Sequence, residues 1–270
     1  MQSEIYKDLQ EHCYDLSLVI GQFDCNNSAD WLMIASGIQE INFVWNRYDK
    51  YFSWFCKPAI QYDDSKTNIT SNYIFYLTVF NYIWGAFESL VSEKFTKKQI
   101  KKYGKINCVA NILNKKESPI FKHQYFRDDF YRLLKIIIND GYFHIKENYT
   151  GEIDIIYNIR NHFAHGSLKF PEDENYTYFN PINMLSFLEV CSRIVLFHIQ
   201  SLLVFIKTSE TGLCLPNSFF ENTYEVDDFD IITSNNYILS RLHLRNIPEA
   251  DKLFTLFGKR YFELKSSDIF

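Results

Sequence analysis

Long apolar stretches alternate along the chain with short, charge-rich segments. From Tyr73 to Phe95 the sequence YIFYLTVFNYIWGAFESLVSEKF is apolar nearly all round over its first two thirds. This predicts a helix packed on several sides, the expected centre of the fold. Asp128 and Asp129 precede FYRLLKIII, where Phe130, Leu133, Leu134, Ile137 and Ile138 recur at three and four, and Gly141 supplies a stop. A second, amphipathic helix is predicted there. A third runs from Ile153 to His165, and a fourth, the most apolar, from Met184 to Ile206. That last stretch carries Glu189, Arg193, His198 and Gln200 at intervals that a bilayer-spanning segment rarely tolerates, so a buried helix and no membrane partner are expected.

The flanks are less regular. The aromatic run Ile41 to Phe55 reads as a helix docked on the core, and the polar segment Gln61 to Asn72 as a boundary. Beyond Lys207 the pattern weakens, and an acidic stretch from Glu221 to Asp230 precedes room for a short strand and one helix. The expected organisation is an N-terminal helical extension over 1–70 packed on the core, a helical domain over 71–207, and a C-terminal extension over 208–270. The fold class is mostly α.

Composition narrows the picture. Of 270 residues 47% are hydrophobic and 18% aromatic, enough for a sizeable core and too many for a disordered chain. Nine Gly and six Pro are too few for the tight turns of a β-sandwich or barrel. A net charge of -5 gives no long-range attraction for a polyanion, so any nucleic-acid contact must be local. The six cysteines at 13, 25, 56, 108, 191 and 214 form no CxxC pair and no zinc-finger spacing; reduced core thiols are expected and no metal. Four N-x-S/T sequons carry no weight in so Asn-rich a chain. The first residues carry charges every few positions and no apolar signal core, so a cytoplasmic location is expected. There is no GxxxxGK[ST], GxSxG or HExxH, which leaves P-loop, α/β-hydrolase and zincin chemistry without support.

The segment Ile153 to His165 carries the chemistry. At about 100° per residue, Ile153, Ile155, Ile156, Ile159 and Phe163 fall on one broad arc, and Asp154, Asn158, Asn161 and His165 on the opposite stripe. Gly166 follows as a natural C′ residue, placing His165 at the helix end, where the helix favours cationic groups. Arg160 is the misfit, since the wheel sets it on the apolar side, where it must snorkel, pair or meet an anion.

The string IRNHFAHG at 159–166 matches R-N-x-x-x-H, and with it the chain resembles the HEPN superfamily of helical nucleotide-binding and RNase domains. The context agrees, with an upstream aromatic helix bearing W-x-x-F-E (Trp84, Phe87, Glu88) and a long apolar helix downstream. The resemblance covers Ser71 to Lys207 and looks most like the bacterial defence and abortive-infection branches. It implies a metal-independent endoribonuclease whose composite site is made by two protomers, with no cofactor. Arg160 would hold the scissile phosphate, Asn161 would orient groups by hydrogen bonding, and His165 would serve as general acid or base. The implied products carry 2′,3′-cyclic phosphate and 5′-hydroxyl ends, and DNA would survive. The wheel gives a separate reason for a homodimer, because Arg160 and His165 lie about 140° apart and do not easily converge on one phosphate. A nuclease of this kind implies restraint by an antitoxin or regulatory partner. The alternative is a non-catalytic, dimeric RNA- or nucleotide-binding module.

Other residues join as candidates. His162 is too close to Arg160 to be the motif histidine and reads as a supporting or RNA-contact residue. Lys97, Lys98, Lys101 and Lys102, within the run Lys94 to Lys105, form the densest positive patch and read either as an RNA-backbone track or as a solvated helix end. Glu88 reads either as a partner for Arg160 or another residue of the motif helix, or as a surface-facing residue. Tyr157 could stack on a base or pack against the core, and Asn158 completes the polar stripe.

Overall fold

The protein is described here by a computed structural model covering residues 6–49, 51, 56–113, 118–120, 123–142, 151–172, 180–205, 213–215, 231–233 and 235–245. The fold is mostly α. In chain order the elements are α1 (Leu9–Gly21), α2 (Asn26–Gly37), α3 (Lys57–Lys94), α4 (Lys97–Tyr103), α5 (Lys105–Leu113), α6 (Gln124–Asn139), α7 (Glu152–Ala164), α8 (Pro181–Phe205), β1 (Leu213–Leu215), β2 (Ile231–Thr233) and α9 (Asn235–Arg241). The strands pair antiparallel, Cys214 opposite Ile232.

The residues fall into two compact units. One comprises 34–84 and 124–195, the other 1–33, 85–123 and 196–270. In the unit with the motif helix, α6 buries Phe130, Leu133, Leu134 and Ile137, the face its periodicity predicts, and ends before Gly141 at φ +69°. Phe130 stacks on Phe187 of α8 with ring centroids 5.7 Å apart. Ile153, Ile155, Ile156 and Ile159 of α7 are buried in the same unit, as are Tyr73, Leu77, Phe80 and Ile83 of α3. Trp84 of α3 lies under Tyr157 of α7, centroids 6.0 Å apart and rings nearly parallel.

In the other unit α1 opens with a capping box, Asp8 accepting from the Glu11 amide and Glu11 from the Asp8 amide. Its buried face presents Leu9, Cys13, Leu16, Val19 and Ile20. His12 meets Gln200 of α8 at 2.6 Å, and Gln200 donates to the Leu239 carbonyl of α9. Lys7 pairs with Asp15 and also donates to the Leu242 carbonyl, so these buried polar groups tie residues 7–15 to the segment around α9. Burial drives the Asp15 carboxyl above the usual range against the pull of Lys7.

Three expectations need correction. Gln61 to Asn72 is not a boundary but lies wholly within the first half of α3, which begins at Lys57, so the expected division near residue 70 falls inside a helix. Polar residues suit that stretch because many of its positions are half-exposed or exposed. Residues 41–49 of the aromatic run form irregular chain and a turn with no helix, and Trp45 and Tyr48 are exposed (46% and 88%). This loop is held on α3 by polar and cationic contacts. Asn46 donates to Asp63, Ser71 donates to the Phe43 carbonyl, and Lys66 sits 3.8 Å over the Trp45 ring. Of the six cysteines, Cys13, Cys25, Cys108 and Cys191 are buried thiols, whereas Cys56 is exposed. The Cys214 side chain, the acidic stretch 221–230 and the chain beyond residue 245 lie outside the described residues.

By length and composition alone α3 and α8 would each suffice to cross a bilayer. The apolar window of α8 is 83% buried inside the protein, and that of α3 is half buried.

Candidate functional site

The motif helix is set in place from both ends. Gly151 precedes it without a side-chain cap, but Glu152 in the first turn accepts from Arg127 Nε at 2.5 Å and from Tyr131 Oη at 3.0 Å, both on α6. The carboxylate therefore meets a guanidinium and the positive end of its own helix together. It also contributes to lifting the Tyr131 phenol above its ordinary value, although burial is the larger cause.

At the other end the chain closes in a Schellman motif. Gly166 takes φ +65°, its N–H donates to the Phe163 carbonyl at 2.9 Å, and the Ser167 N–H donates to the His162 carbonyl at 2.8 Å. A residue with a Cβ rarely adopts that conformation, so the glycine after the motif is a backbone requirement. His165 is the C-cap, its N–H donating to the Asn161 carbonyl at 2.9 Å. Its imidazole is exposed and takes no partner among the described residues.

Arg160 is half-buried. Its Nη1 donates to Asn161 Oδ1 across a long 3.4 Å, and among the described residues no carboxylate pairs with it. A long, neutral contact does little to offset a guanidinium drawn partly out of water. One helix end thus holds a cation with no counter-charge among the described residues, an amide beside it and an exposed imidazole. A guanidinium can hold a phosphate and an imidazole can exchange protons, but within one copy of the helix the two lie about 140° apart.

The other candidates divide. Asn158 is half-buried on the polar stripe, and Tyr157, 40% exposed, keeps one ring face on Trp84. His162 is held to Ser167, Nδ1 to Oγ 2.9 Å, a contact invisible in the sequence until the glycine turn brings Ser167 back over the last helical turn. Glu88, expected beside Arg160 or another residue of the motif helix, has Lys105 as an ion partner at 3.6 Å.

The lysine run is not one helix. Thr96 opens α4 with a capping box to Gln99, and Gly104 at φ +79° closes it. Lys94 belongs to the end of α3 and donates to the Phe23 carbonyl at 2.7 Å, and Lys105 begins α5. Lys97, Lys98, Lys101 and Lys102 remain together on α4, all exposed, with no acidic residue in that helix. Among the described residues no group of three or more His, Cys, Asp or Glu is placed to hold a metal ion.

Fold and site define a class in physical terms only, a mostly α-helical protein with an arginine, asparagine and histidine at the C-terminal end of one helix. Comparison with protein-family models, with curated proteins and with solved structures finds no match.

Proposed function

We propose that the protein is a metal-independent endoribonuclease of the HEPN type, working in the cytoplasm as a homodimer in growth arrest or phage defence. The observation that carries this reading is the half-buried Arg160, without a carboxylate partner among the described residues, beside Asn161 and five residues before the exposed His165. An arginine in that state is stabilised by an incoming phosphate, and its forked donors match a phosphodiester. His165 handles the proton of the attacking 2′-hydroxyl or of the departing 5′-oxygen. Asn161 orients Arg160 and the substrate. A two-fold partner brings a second Arg160 and His165 to the same phosphate, which relieves the angular separation within one helix. Lys97, Lys98, Lys101 and Lys102 supply contacts to the RNA backbone. An antitoxin or other regulatory protein restrains the activity in the cell.

The test is cleavage of total tRNA and of a mixed-sequence single strand in EDTA by wild type, Arg160→Ala and His165→Ala. The expected result is cleavage by wild type and its loss in both variants. Cleavage that persists in His165→Ala removes the site assignment. No cleavage by a confirmed dimer on any substrate favours a binding module instead.

A further inference from the structure

The Ser167 hydroxyl touches two atoms of one residue. Its Oγ lies 3.0 Å from the His162 carbonyl oxygen and 2.9 Å from His162 Nδ1. A serine hydroxyl has one proton to give and two lone pairs to accept with. If the proton pointed at Nδ1, two oxygens would face each other at 3.0 Å with no hydrogen between them. If it points at the carbonyl, both contacts are hydrogen bonds: Ser167 O–H donates to the His162 carbonyl, and His162 Nδ1–H donates to Ser167 Oγ.

The backbone holds Ser167 in this place. Its own N–H donates to the same carbonyl at 2.8 Å, and Gly166 at φ +65° turns the chain so that it can. A neutral imidazole carries one proton, and with that proton on Nδ1 the lone pair is on Nε2. With the serine proton on the carbonyl, the closure of the helix favours the Nδ1–H tautomer of a second histidine within one turn of His165.

We propose that His162 is a second acid–base residue of this site and Ser167 the residue that positions it, an assignment that rests on the endoribonuclease reading above. His162 Nε2 accepts the proton of the attacking 2′-hydroxyl as the 2′-oxygen bonds to phosphorus. The bond from phosphorus to the 5′-oxygen breaks, and a protonated His165 gives its proton to that oxygen. The products are a 2′,3′-cyclic phosphate and a 5′-hydroxyl, with His162 left protonated and His165 neutral. Exchange with water restores both. Ser167 Oγ accepts from Nδ1–H throughout, so the imidazolium formed at His162 keeps a partner.

Two measurements on the full-length protein test this. Two-bond proton–nitrogen correlation NMR on protein labelled at histidine nitrogens, recorded where histidine is neutral, reads each tautomer directly. The His162 signals are identified by their loss in His162→Gln. The expected result is Nδ1–H at His162 in wild type and in Ser167→Thr, and a shift towards Nε2–H in Ser167→Ala. In cleavage, His162→Gln is expected to lower kcat by about 10²- to 10⁴-fold with little change in KM. Ser167→Ala is expected to lower kcat more modestly, and Ser167→Thr to restore it.

An Nε2–H tautomer in a cleaving wild type, or full cleavage by His162→Gln, overturns this inference and leaves the ribonuclease reading standing. Absence of cleavage by wild type overturns both, even where the NMR tautomer is the expected one.

Discussion

Arg160 is the residue where the fold and the proposed function pull apart. On a helix face otherwise filled by Ile153, Ile156 and Ile159, a half-buried guanidinium costs solvation that a 3.4 Å contact with Asn161 does not return. Arg160→Met keeps the apolar stem and removes the charge. Its melting temperature is expected to stay within about 3 °C of wild type or to rise, corresponding to roughly 1 kcal/mol or less, while RNA cleavage is lost. Calorimetry and the cleavage assay on one preparation check this. The places of Arg160, Asn161, His165 and Gly166 at the end of α7 are legible in the sequence because their spacing and the helix wheel set them there. Ser167 is not, because a serine after a glycine acquires meaning only when the turn carries it back to His162. The thiols show the same limit. Burial raises the Cys25 and Cys191 thiols, whereas Cys56, expected like the others to be a core thiol, is exposed. Iodoacetamide on the native protein is therefore expected to label Cys56 at least tenfold faster than Cys25 or Cys191, as read by peptide mass mapping, because the reactive thiolate must be both formed and reached.

At the scale of elements, α6 and α7 were readable because each has one buried face and an exposed one, so periodicity and a terminal glycine define them. The start of α3 was not. Gln61 to Asn72 looks like a linker by composition, yet it forms a helix whose buried contacts are few, and the hydrophobic signal appears only from Tyr73 onward. Residues 41–49 mislead in the opposite sense, since aromatics suggest a docked helix where cation and amide contacts with α3 hold an exposed loop. The end and the buried face of α7 each make a prediction. Gly166→Ala forces a Cβ into the left-handed region and is expected to cost about 1 kcal/mol, with Gly166→Asn costing less. Ile156→Ala, at a fully buried position, is expected to cost about 2–5 kcal/mol. Denaturant melts of the three variants rank them.

For the whole molecule, the mostly α class followed from apolar periodicity and from the scarcity of glycine and proline. The division into two units was not readable, because α3 and α8 contribute to both and continuous helices leave no compositional seam. A net charge of -5 makes the α4 lysines a local feature, so their effect on RNA is expected to be electrostatic and uniform across sequences. Converting Lys97, Lys98, Lys101 and Lys102 to Gln is expected to weaken RNA binding and to reduce its salt slope by up to about three, as single-strand binding titrated over salt would show. The central claim is that the end of α7 cleaves RNA through the 2′-hydroxyl. The most direct measurement follows one labelled single strand, as RNA and with 2′-deoxy at the cleaved position, incubated in EDTA with the light-scattering-verified dimer, with product ends mapped. The account predicts a 2′,3′-cyclic phosphate and a 5′-hydroxyl from RNA, no cut at the deoxy position, and no products from His165→Ala. Cleavage at the deoxy position, or 5′-phosphate ends, would contradict it.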